Sequence, residues 1–313
     1  MKTIYRARSR VAEAGLALVL GVLCSGHLQA QDAVPAWATA PRERGMVGEG
    51  LAVSPFLEGW YENPDGTYTL SFGYFNRNKE SLLSLPLGPD NFIEPAEYDG
   101  LQPTQFPPGR GTGVFTVTVP GEFAENGGRV VWTLRSGGTN PHSVPGKVGI
   151  EAYRLHYGPM AMGSFPPILK LETDGPELWG PMTIGGDARL AESWESDRDP
   201  RGSTANPIQM TASVGSPLSL TVWVGDRLAP DAEREPVEGG VSWYTHQGPA
   251  LAEFTEVMFT EDGPLRRATT SASFPEPGQY LLRVRGDNFN PVDSTPGDQC
   301  CWTNAYVRVT VQP

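Results

Sequence analysis

The sequence predicts an all-β protein made of two antiparallel β-sandwich domains joined by a connection rich in Pro, Gly and Asp. Three observations support this. With 37 Gly and 30 Pro in 313 residues, more than a fifth of the chain disfavours helix. The 8 Trp, 10 Tyr and 12 Phe provide large apolar surfaces for burial. Several short segments alternate apolar and polar residues with a period of two, which is the pattern of a strand with one buried face.

Residues 1–30 have the three parts of a secretory signal peptide. Four basic residues precede the apolar run 14–24, and we expect cleavage after Ala30. The run is about half of the roughly 20 residues that a membrane-spanning helix needs. An alternative, lipidation of Cys24, would require a small residue before it, where Leu23 stands. We therefore expect a secreted or periplasmic protein without a transmembrane anchor after cleavage.

The charge of the chain excludes some classes of partner. The net charge of −12 becomes −15 when residues 1–30 are removed, because they carry four of the Lys and Arg residues and one Glu. So acidic a protein is not expected to bind nucleic acid or anionic lipid. Calcium, cationic partners and neutral glycans are all compatible with it.

The N-terminal half contains a series of strand signals. Residues 31–50 are polar and rich in small side chains, and predict a flexible lead-in. The turn sequence Asn-Pro-Asp-Gly at 63–66 separates two aromatic-rich runs and predicts a hairpin. Further strands are predicted at 81–87, 113–120, 129–135 and 147–157. Together these strands predict a sandwich over residues 51–158.

The strand pattern stops after residue 158. Residues 159–205 are dense in Pro, Gly and Asp, and we interpret them as the interdomain linker. Such a length is unusual for a loop inside one domain, so part of this segment is expected to pack against a sandwich.

The C-terminal domain, residues 206–313, gives the most specific pattern. Strands are predicted at 208–214, 219–224, 241–249, 251–259, 268–287 and 304–311. A tryptophan strand, a Gly-Pro turn, a Phe-x-x-x-Gly-x-Tyr-x-Leu segment and a final alternating strand follow one another. The matching residues are Trp243, Gly248, Pro249, Phe274, Gly278, Tyr280, Leu282, Val307, Val309 and Val311. In this order of elements the domain resembles PKD-like bacterial immunoglobulin-like domains.

The resemblance implies an immunoglobulin-like β-sandwich that acts as a spacer or adhesive module, and it implies no chemistry. Gly278 would allow a tight corner, and the Tyr280 hydroxyl would bond back to the backbone as in a tyrosine corner. Trp243 would be the central core residue. The inter-sheet disulfide of antibody domains is absent, because Leu220 and Leu282 occupy those strand positions. The N-terminal half resembles no family of known activity.

The expected mature chain contains only two cysteines, the adjacent pair Cys300 and Cys301. A crosslink between distant strands of one chain is therefore impossible, and four alternatives are open: a vicinal disulfide, a thiol pair, an intermolecular bridge or a soft-metal site. The pair lies beside Trp302 in the loop predicted between the last two strands, at an end of the sandwich where immunoglobulin domains often bind. Cys300, Cys301 and Trp302 form the first predicted binding site, although fixing the loop would explain them equally well.

The same loop carries oxygen donors that could bind Ca²⁺, which is the only cofactor that the sequence suggests. The candidate ligands are Asp287, Asn290, Asp293 and Asp298. Their spacing does not match an EF-hand, and solvated turn residues are the competing interpretation.

A second predicted binding site is a sugar platform in the N-terminal half. Trp60 and Tyr61 could stack on a sugar, while Asn76, Arg77 and Asn78 could donate and accept hydrogen bonds. Aromatic residues on a strand also serve as core, which is the competing interpretation.

The sequence contains no GxSxG, HExxH, P-loop or dinucleotide motif. We therefore predict an exported, non-enzymatic binding or structural protein of the bacterial envelope or extracellular space, with a protein or glycan partner. The alternative is a secreted glycan hydrolase, since a carboxylate pair could meet in three dimensions, or a redox protein that uses Cys300 and Cys301.

Overall fold

A computed structural model describes most of the chain beyond residue 49, and these residues belong to one unit, 47–313. The described ranges are 50–63, 65–136, 140–155, 164–184, 204–205, 207–228, 235–288 and 302–313. The predicted signal peptide and lead-in, much of the predicted linker, and Cys300, Cys301, Asn290, Asp293 and Asp298 lie outside them. Within the described ranges, no helix combines the length and the hydropathy needed to cross a membrane.

The described residues are mainly strands, as predicted. In the N-terminal half the strands are β1 (Val53–Glu62), β2 (Tyr68–Asn76), β3 (Leu83–Ser84), β4 (Asn91–Glu94), β5 (Gln105–Phe106), β6 (Gly109–Val119), β7 (Val130–Leu134) and β8 (His142–Gly146). The helical elements are α1 (Gly121–Glu125) and two 3₁₀ turns, Ala96–Tyr98 and Glu151–Tyr153.

The remaining strands lie in the C-terminal half. They are β9 (Ser164–Lys170), β10 (Thr183–Ile184), β11 (Thr204–Ala205), β12 (Ile208–Ser213), β13 (Leu218–Leu228), β14 (Gly240–Gln247), β15 (Glu253–Phe254), β16 (Met258–Asp262), β17 (Leu265–Ser273), β18 (Gly278–Asp287) and β19 (Trp302–Gln312). The prediction of an all-β fold with antiparallel sheets is confirmed.

The N-terminal half has sheets of order β1-β2-β6 and β4-β7-β8, with a small β3-β5 pair. The predicted hairpin is present: Glu62 pairs with Tyr68, and the Asn63 amide donates to the Thr67 carbonyl at 2.8 Å. Gly66 has a φ of 79°, which favours glycine in this turn. The core is aromatic, with the ring centroids of Phe115 and Trp132 4.9 Å apart.

One predicted strand of this half is wrong. The described part of this predicted strand, residues 147–155, contains no strand; β8 ends at Gly146 and a 3₁₀ turn follows at Glu151–Tyr153. Gly149, with a φ of 91°, turns the chain away from an extended path at this point.

The C-terminal half is a sandwich of two sheets with the strand order of an immunoglobulin-like fold. One sheet has the order β12-β19-β18-β14, and the other β15-β17-β13-β9, with β16 also paired to β17. Apart from the parallel pair β12 and β19, all strand pairs in these two sheets are antiparallel. Strand β9 thus belongs to one of the two sheets, and β12 belongs to the other.

The predicted corner at the start of β18 is confirmed. Gly278 has a φ of 144°, and the Tyr280 hydroxyl donates to the backbone carbonyl of Glu276 at 3.0 Å. The ring of Tyr280 lies 4.8 Å from that of Phe274, and both side chains are buried. Leu282 and Val284 enter the core, as the alternation predicted.

Strand β9 falls inside the segment interpreted as linker. Among the described strands it pairs with β13, and Leu169 also forms an isolated antiparallel bridge with Leu178. Pro166 and Pro167 lack amide hydrogens, so they are compatible with an edge strand but obscure its sequence pattern. The domain boundaries themselves stay a prediction.

Candidate functional site

The two halves of the chain meet at a surface that we call the junction, where β1, β6 and residues 100–105 pack against β14, β18 and β19. Backbone and side-chain hydrogen bonds join the loop to the end of β14. The Thr104 amide donates to the His246 carbonyl at 2.8 Å, and Gln247 Nε2 donates to the carbonyls of Gly100 and Gln102 at 2.8 and 2.7 Å. The loop therefore extends the edge of the C-terminal sheet.

Gly113 of β6 lies at the centre of the junction. Its amide donates to both carboxylate oxygens of Glu58, at 2.8 and 3.0 Å. Its carbonyl accepts hydrogen bonds from Arg283 Nη1 and from Asn304 Nδ2. A Cβ atom on Gly113 would stand 2.5 Å from Trp302 Nε1, so only glycine fits between β6 and β19.

Four ionisable side chains, two acids and two bases, surround this contact. Three of them are buried and Asp287 is partly buried. Glu58 also accepts a hydrogen bond from the Ser71 hydroxyl at 2.6 Å, and burial raises the pKa of Glu58. Arg285 Nε donates to Asp287 at 3.1 Å, yet burial still raises the pKa of Asp287. The guanidinium of Arg283 lies 4.3 Å from the ring centroid of Tyr244.

A pocket of about 160 Å³ opens at the junction, and we call it the junction pocket. Its aromatic wall is formed by Tyr74, Trp243, Tyr244 and Phe254. The remaining lining residues are Pro103, Gln105, Pro107, Val114, Thr245, His246, Leu251, Ala252 and Arg283. Both halves of the chain contribute residues to this pocket, and binding sites are often located where two domains meet.

Several polar atoms of the lining residues have no hydrogen-bond partner among the described residues. They are Gln105 Oε1, Trp243 Nε1, His246 Nδ1 and Arg283 Nε, and all four atoms are buried. None of the four atoms is exposed to solvent, so they lie beneath the pocket wall, where each unpaired polar atom costs about 1 to 3 kcal/mol.

The proton position on His246 follows from its contact. Nε2 lies 2.8 Å from the carbonyl oxygen of Leu101, which can only accept, so Nε2 carries the hydrogen and Nδ1 is an acceptor. Burial and the nearby charge of Arg283 together lower the pKa of His246 to about 3, against the opposing effect of the Leu101 bond. His246 is therefore neutral at pH 7.

Trp243 belongs to the buried core of the C-terminal half, with 9% of its surface exposed. The indole stacks on Phe254 with ring centroids 6.4 Å apart and also lines the junction pocket. Its Nε1 atom is buried and has no hydrogen-bond partner among the described residues.

The predicted sugar platform is not an open surface. Trp60 and Tyr61 are 5% and 0% exposed, and Trp60 Nε1 donates to the Ile150 carbonyl at 3.1 Å. Asn76 donates to the carbonyls of Ser81 and Phe106 at 2.9 and 2.8 Å.

Asn78 forms a pair of hydrogen bonds with the backbone of Leu51, each 2.8 Å long. The platform prediction is corrected on this point, because the amides bond to the backbone. Arg77 is half-buried.

Trp60 does border a second pocket of about 340 Å³, which we call the Trp60 pocket. Tyr68, Glu125, Lys147 and Ile150 are among its other lining residues. Trp60 Nε1 already donates to a backbone carbonyl, as described above, so the indole donor beside this pocket is satisfied within the chain.

The other predicted site lies largely outside the described residues. Trp302 is buried at the start of β19, against Gly113, and Asp287 is paired with Arg285. Within the described ranges, no group of three or more His, Cys, Asp or Glu side chains could hold a metal ion. The structure therefore places Trp302 in the junction, whereas the sequence predicted that it lies in a loop.

Comparisons with known proteins establish no family. No family model matches the chain, and no curated protein matches it. Among solved structures, "Anomalous substructure of Titin-A168169" is 10% identical, covers 84% of this chain and 100% of that chain, and has a TM-score of 0.20. "I-band fragment I67-I69 from titin" is 8% identical, covers 82% and 61% of the two chains, and has a TM-score of 0.21. These TM-scores carry no argument, so the fold assignment rests on the strand order.

Proposed function

We propose that this protein is an exported, non-enzymatic binding module of the bacterial envelope or extracellular space, with a protein or glycan partner. The observation that supports it is the junction pocket, which has aromatic walls and polar side chains from both halves of the chain. Ligand sites are typically built in this way, with a few placed polar groups in an apolar cleft.

The chemistry of the lining residues favours binding over catalysis. No Asp, Glu, Cys or Lys occurs among the described side chains that line this pocket. A general acid or base works best with a pKa near the operating pH, whereas the pKa of His246 is lowered to about 3. The pocket can therefore donate and accept hydrogen bonds at pH 7 without exchanging protons.

The junction also suits a binding role because it is held by many specific contacts. Glu58, Gly113 and Arg283 form one buried hydrogen-bonded chain across the junction, from β1 through β6 to β18. A pocket between halves that are fixed in this way is pre-organised, which reduces the entropy lost on binding.

The full precursor expressed in a Gram-negative bacterium provides the test. We expect a mature chain that begins at Gln31 outside the cytoplasm, and saturable binding of that chain to components of a glycan array or to an envelope protein identified by crosslinking. Panels of chromogenic glycosides and esters should show no turnover. Hydrolysis at ordinary enzymatic rates, or retention of the uncleaved chain in the cytoplasm, would contradict the proposal.

A further inference from the structure

We propose that residues 100–105 form an acid-released latch on the end of β14, which is closed at neutral pH and opens when His246 gains a proton. We call these residues the latch loop. The inference goes beyond the proposed binding function and does not depend on it. It rests on the bonds that close the latch loop, on the separation of the two hydrophobic cores, and on the surroundings of the His246 ring.

Hydrogen bonds hold the latch loop on β14. Two further bonds add to those that Thr104 and Gln247 form across this contact. Gln105 Nε2 donates to the Gly248 carbonyl at 2.8 Å, and the Gly248 amide donates to the Thr104 hydroxyl at 3.2 Å. Each such bond contributes little net free energy, because water replaces it when the loop opens.

Release of the latch loop would leave both hydrophobic cores intact. The core of the N-terminal half contains Phe115 and Trp132, the core of the C-terminal half contains Phe274 and Leu282, and the two share no residue. Leu101 of the latch loop packs against the N-terminal core. A contact made mainly of hydrogen bonds opens locally, at a lower free energy than the whole protein needs to unfold.

His246 closes the latch with two of its own groups. The strand register shifts between Thr245 and Gln247, so His246 is the extra residue of a β-bulge, a feature that redirects a side chain. Its backbone carbonyl accepts from the Thr104 amide and its Nε2 donates to the Leu101 carbonyl, both at 2.8 Å. A change in the charge of this ring therefore acts directly on the latch loop.

The closed latch has no place for a second proton on the ring. Nδ1 of His246 is buried and has no hydrogen-bond acceptor among the described residues. The guanidinium of Arg283 on β18 would repel an imidazolium.

The other titratable groups around the ring are phenols, whose uncharged form is the one that acid favours. They are Tyr306 of β19, with its ring centroid 5.5 Å from that of His246, and Tyr74 of β2 and Tyr244 of β14, which line the same pocket. The latch loop itself has no titratable side chain, and no carboxylate belongs to the described lining of the pocket. No negative charge there compensates an imidazolium.

Opening removes this obstacle, because the ring then reaches water. The pKa of His246 is about 3 when the latch is closed, against an ordinary 6.5 when the ring is solvated. Each pH unit between these values therefore favours the open state about tenfold, and the change from pH 7.5 to 4.5 favours it about 100-fold. Pro103 and Gln105 line the junction pocket, so release of the latch loop also removes part of the pocket wall.

Amide hydrogen exchange of the mature chain, followed by NMR at pH 7.5 and 4.5 and corrected for intrinsic exchange rates, provides the test. The Thr104 amide reports on the latch, and the Leu282 amide reports on β18 between its two neighbouring strands. We expect the opening equilibrium at Thr104 to rise about 100-fold in acid and to be insensitive to low urea concentrations. Exchange at Leu282 should depend on urea, because it requires global unfolding.

Three variants identify the trigger. His246→Gln removes the titrating group, so the acid response at Thr104 should shrink to less than about threefold. His142→Gln is the matched control, because His142 lies on β8 and contacts the Ser54 hydroxyl at 3.0 Å, and the full response should persist. Gln247→Ala removes two bonds to the latch loop and keeps His246, so opening should increase about tenfold at both pH values.

The inference fails if Thr104 and Leu282 exchange with the same free energy and urea dependence, since no local opening then exists. It also fails if His246→Gln responds to acid as wild type does. Should His246→Gln not fold, Gln247→Ala decides: wild-type exchange at Thr104, or a lost acid response, would contradict the latch. None of these results bears on whether the protein binds a partner at neutral pH.

Discussion

The core of the C-terminal sandwich and the junction are both buried, but different interactions hold them together. The core is filled by apolar side chains from both sheets, with Phe274 and Tyr280 in edge-to-face contact. The junction instead buries the carboxylate of Glu58 and the guanidinium groups of Arg283 and Arg285, which all bond to the backbone of β6. Apolar packing is non-directional, whereas buried hydrogen bonds specify one arrangement. The core therefore provides stability, and the junction fixes how the two halves of the chain are arranged.

The largest expected effect is in the core. Phe274→Ala should lower the free energy of unfolding by about 4 kcal/mol, because it removes a fully buried ring and leaves a cavity. Urea unfolding would measure it. Met258→Ala serves as the control: its side chain is 63% exposed, and we expect a change within about 0.5 kcal/mol. Similar losses at both positions would show that Phe274 is not a core residue.

The next effect separates charge from volume in the junction. Arg285→Leu should destabilise the protein by about 3 kcal/mol, because it leaves the Asp287 carboxylate, which is 13% exposed, without its partner. The double variant Arg285→Leu/Asp287→Leu should recover part of this loss, since no uncompensated charge is left. A double-mutant cycle measured by urea unfolding gives the coupling free energy between Arg285 and Asp287. A coupling free energy near zero would mean that the two residues do not stabilise the protein as a pair.

The pH dependence of stability should identify His246 as a neutral buried group. Its pKa is lowered to about 3, from an ordinary 6.5. Below pH 6.5 the unfolded chain binds a proton that the folded chain does not, so stability falls as the pH is lowered towards 3. We expect a loss of about 2 to 3 kcal/mol between pH 6.5 and 4.

His246→Gln should remove that part of the acid dependence. Glu58 and Asp287, whose pKa values are raised, have the opposite effect: they favour the folded state as the pH falls towards their ordinary range. Because both proteins contain them, the difference between the two stability profiles isolates His246. Parallel profiles would show that His246 is not neutral in the fold.

The smallest effect tests the close approach of β6 and β19. Gly113→Ala should cost about 2 kcal/mol, from a φ of 55° and a clash with Trp302. Gly109→Ala is the matched control, because Gly109 also has a positive φ, 92°, but no atom within 4 Å of its added Cβ. We expect about half the cost there. Equal melting temperatures for the two variants would argue against a tight junction at Gly113.

Part of the junction had a signal in the sequence. Gly113 begins the strand predicted at 113–120 and lies inside β6, and a glycine within a strand indicates a bulge or a close backbone approach. The alternation that puts Leu282 and Val284 into the core also directs Arg283 and Arg285 away from it. What covers the two arginines could not be predicted, because their partners on β6 are about 170 residues away in sequence.

The sequence by itself determined the all-β class, the hairpin at residues 63–66 and the corner around Gly278 and Tyr280, because turn chemistry and period-two alternation are local properties. Only the tertiary structure decided that β9 joins the C-terminal sheet and that Trp60, Asn76 and Asn78 are buried. It also decided that Trp243 and His246 line a pocket with Gln105. These features depend on contacts between residues far apart in the chain, which no local pattern encodes.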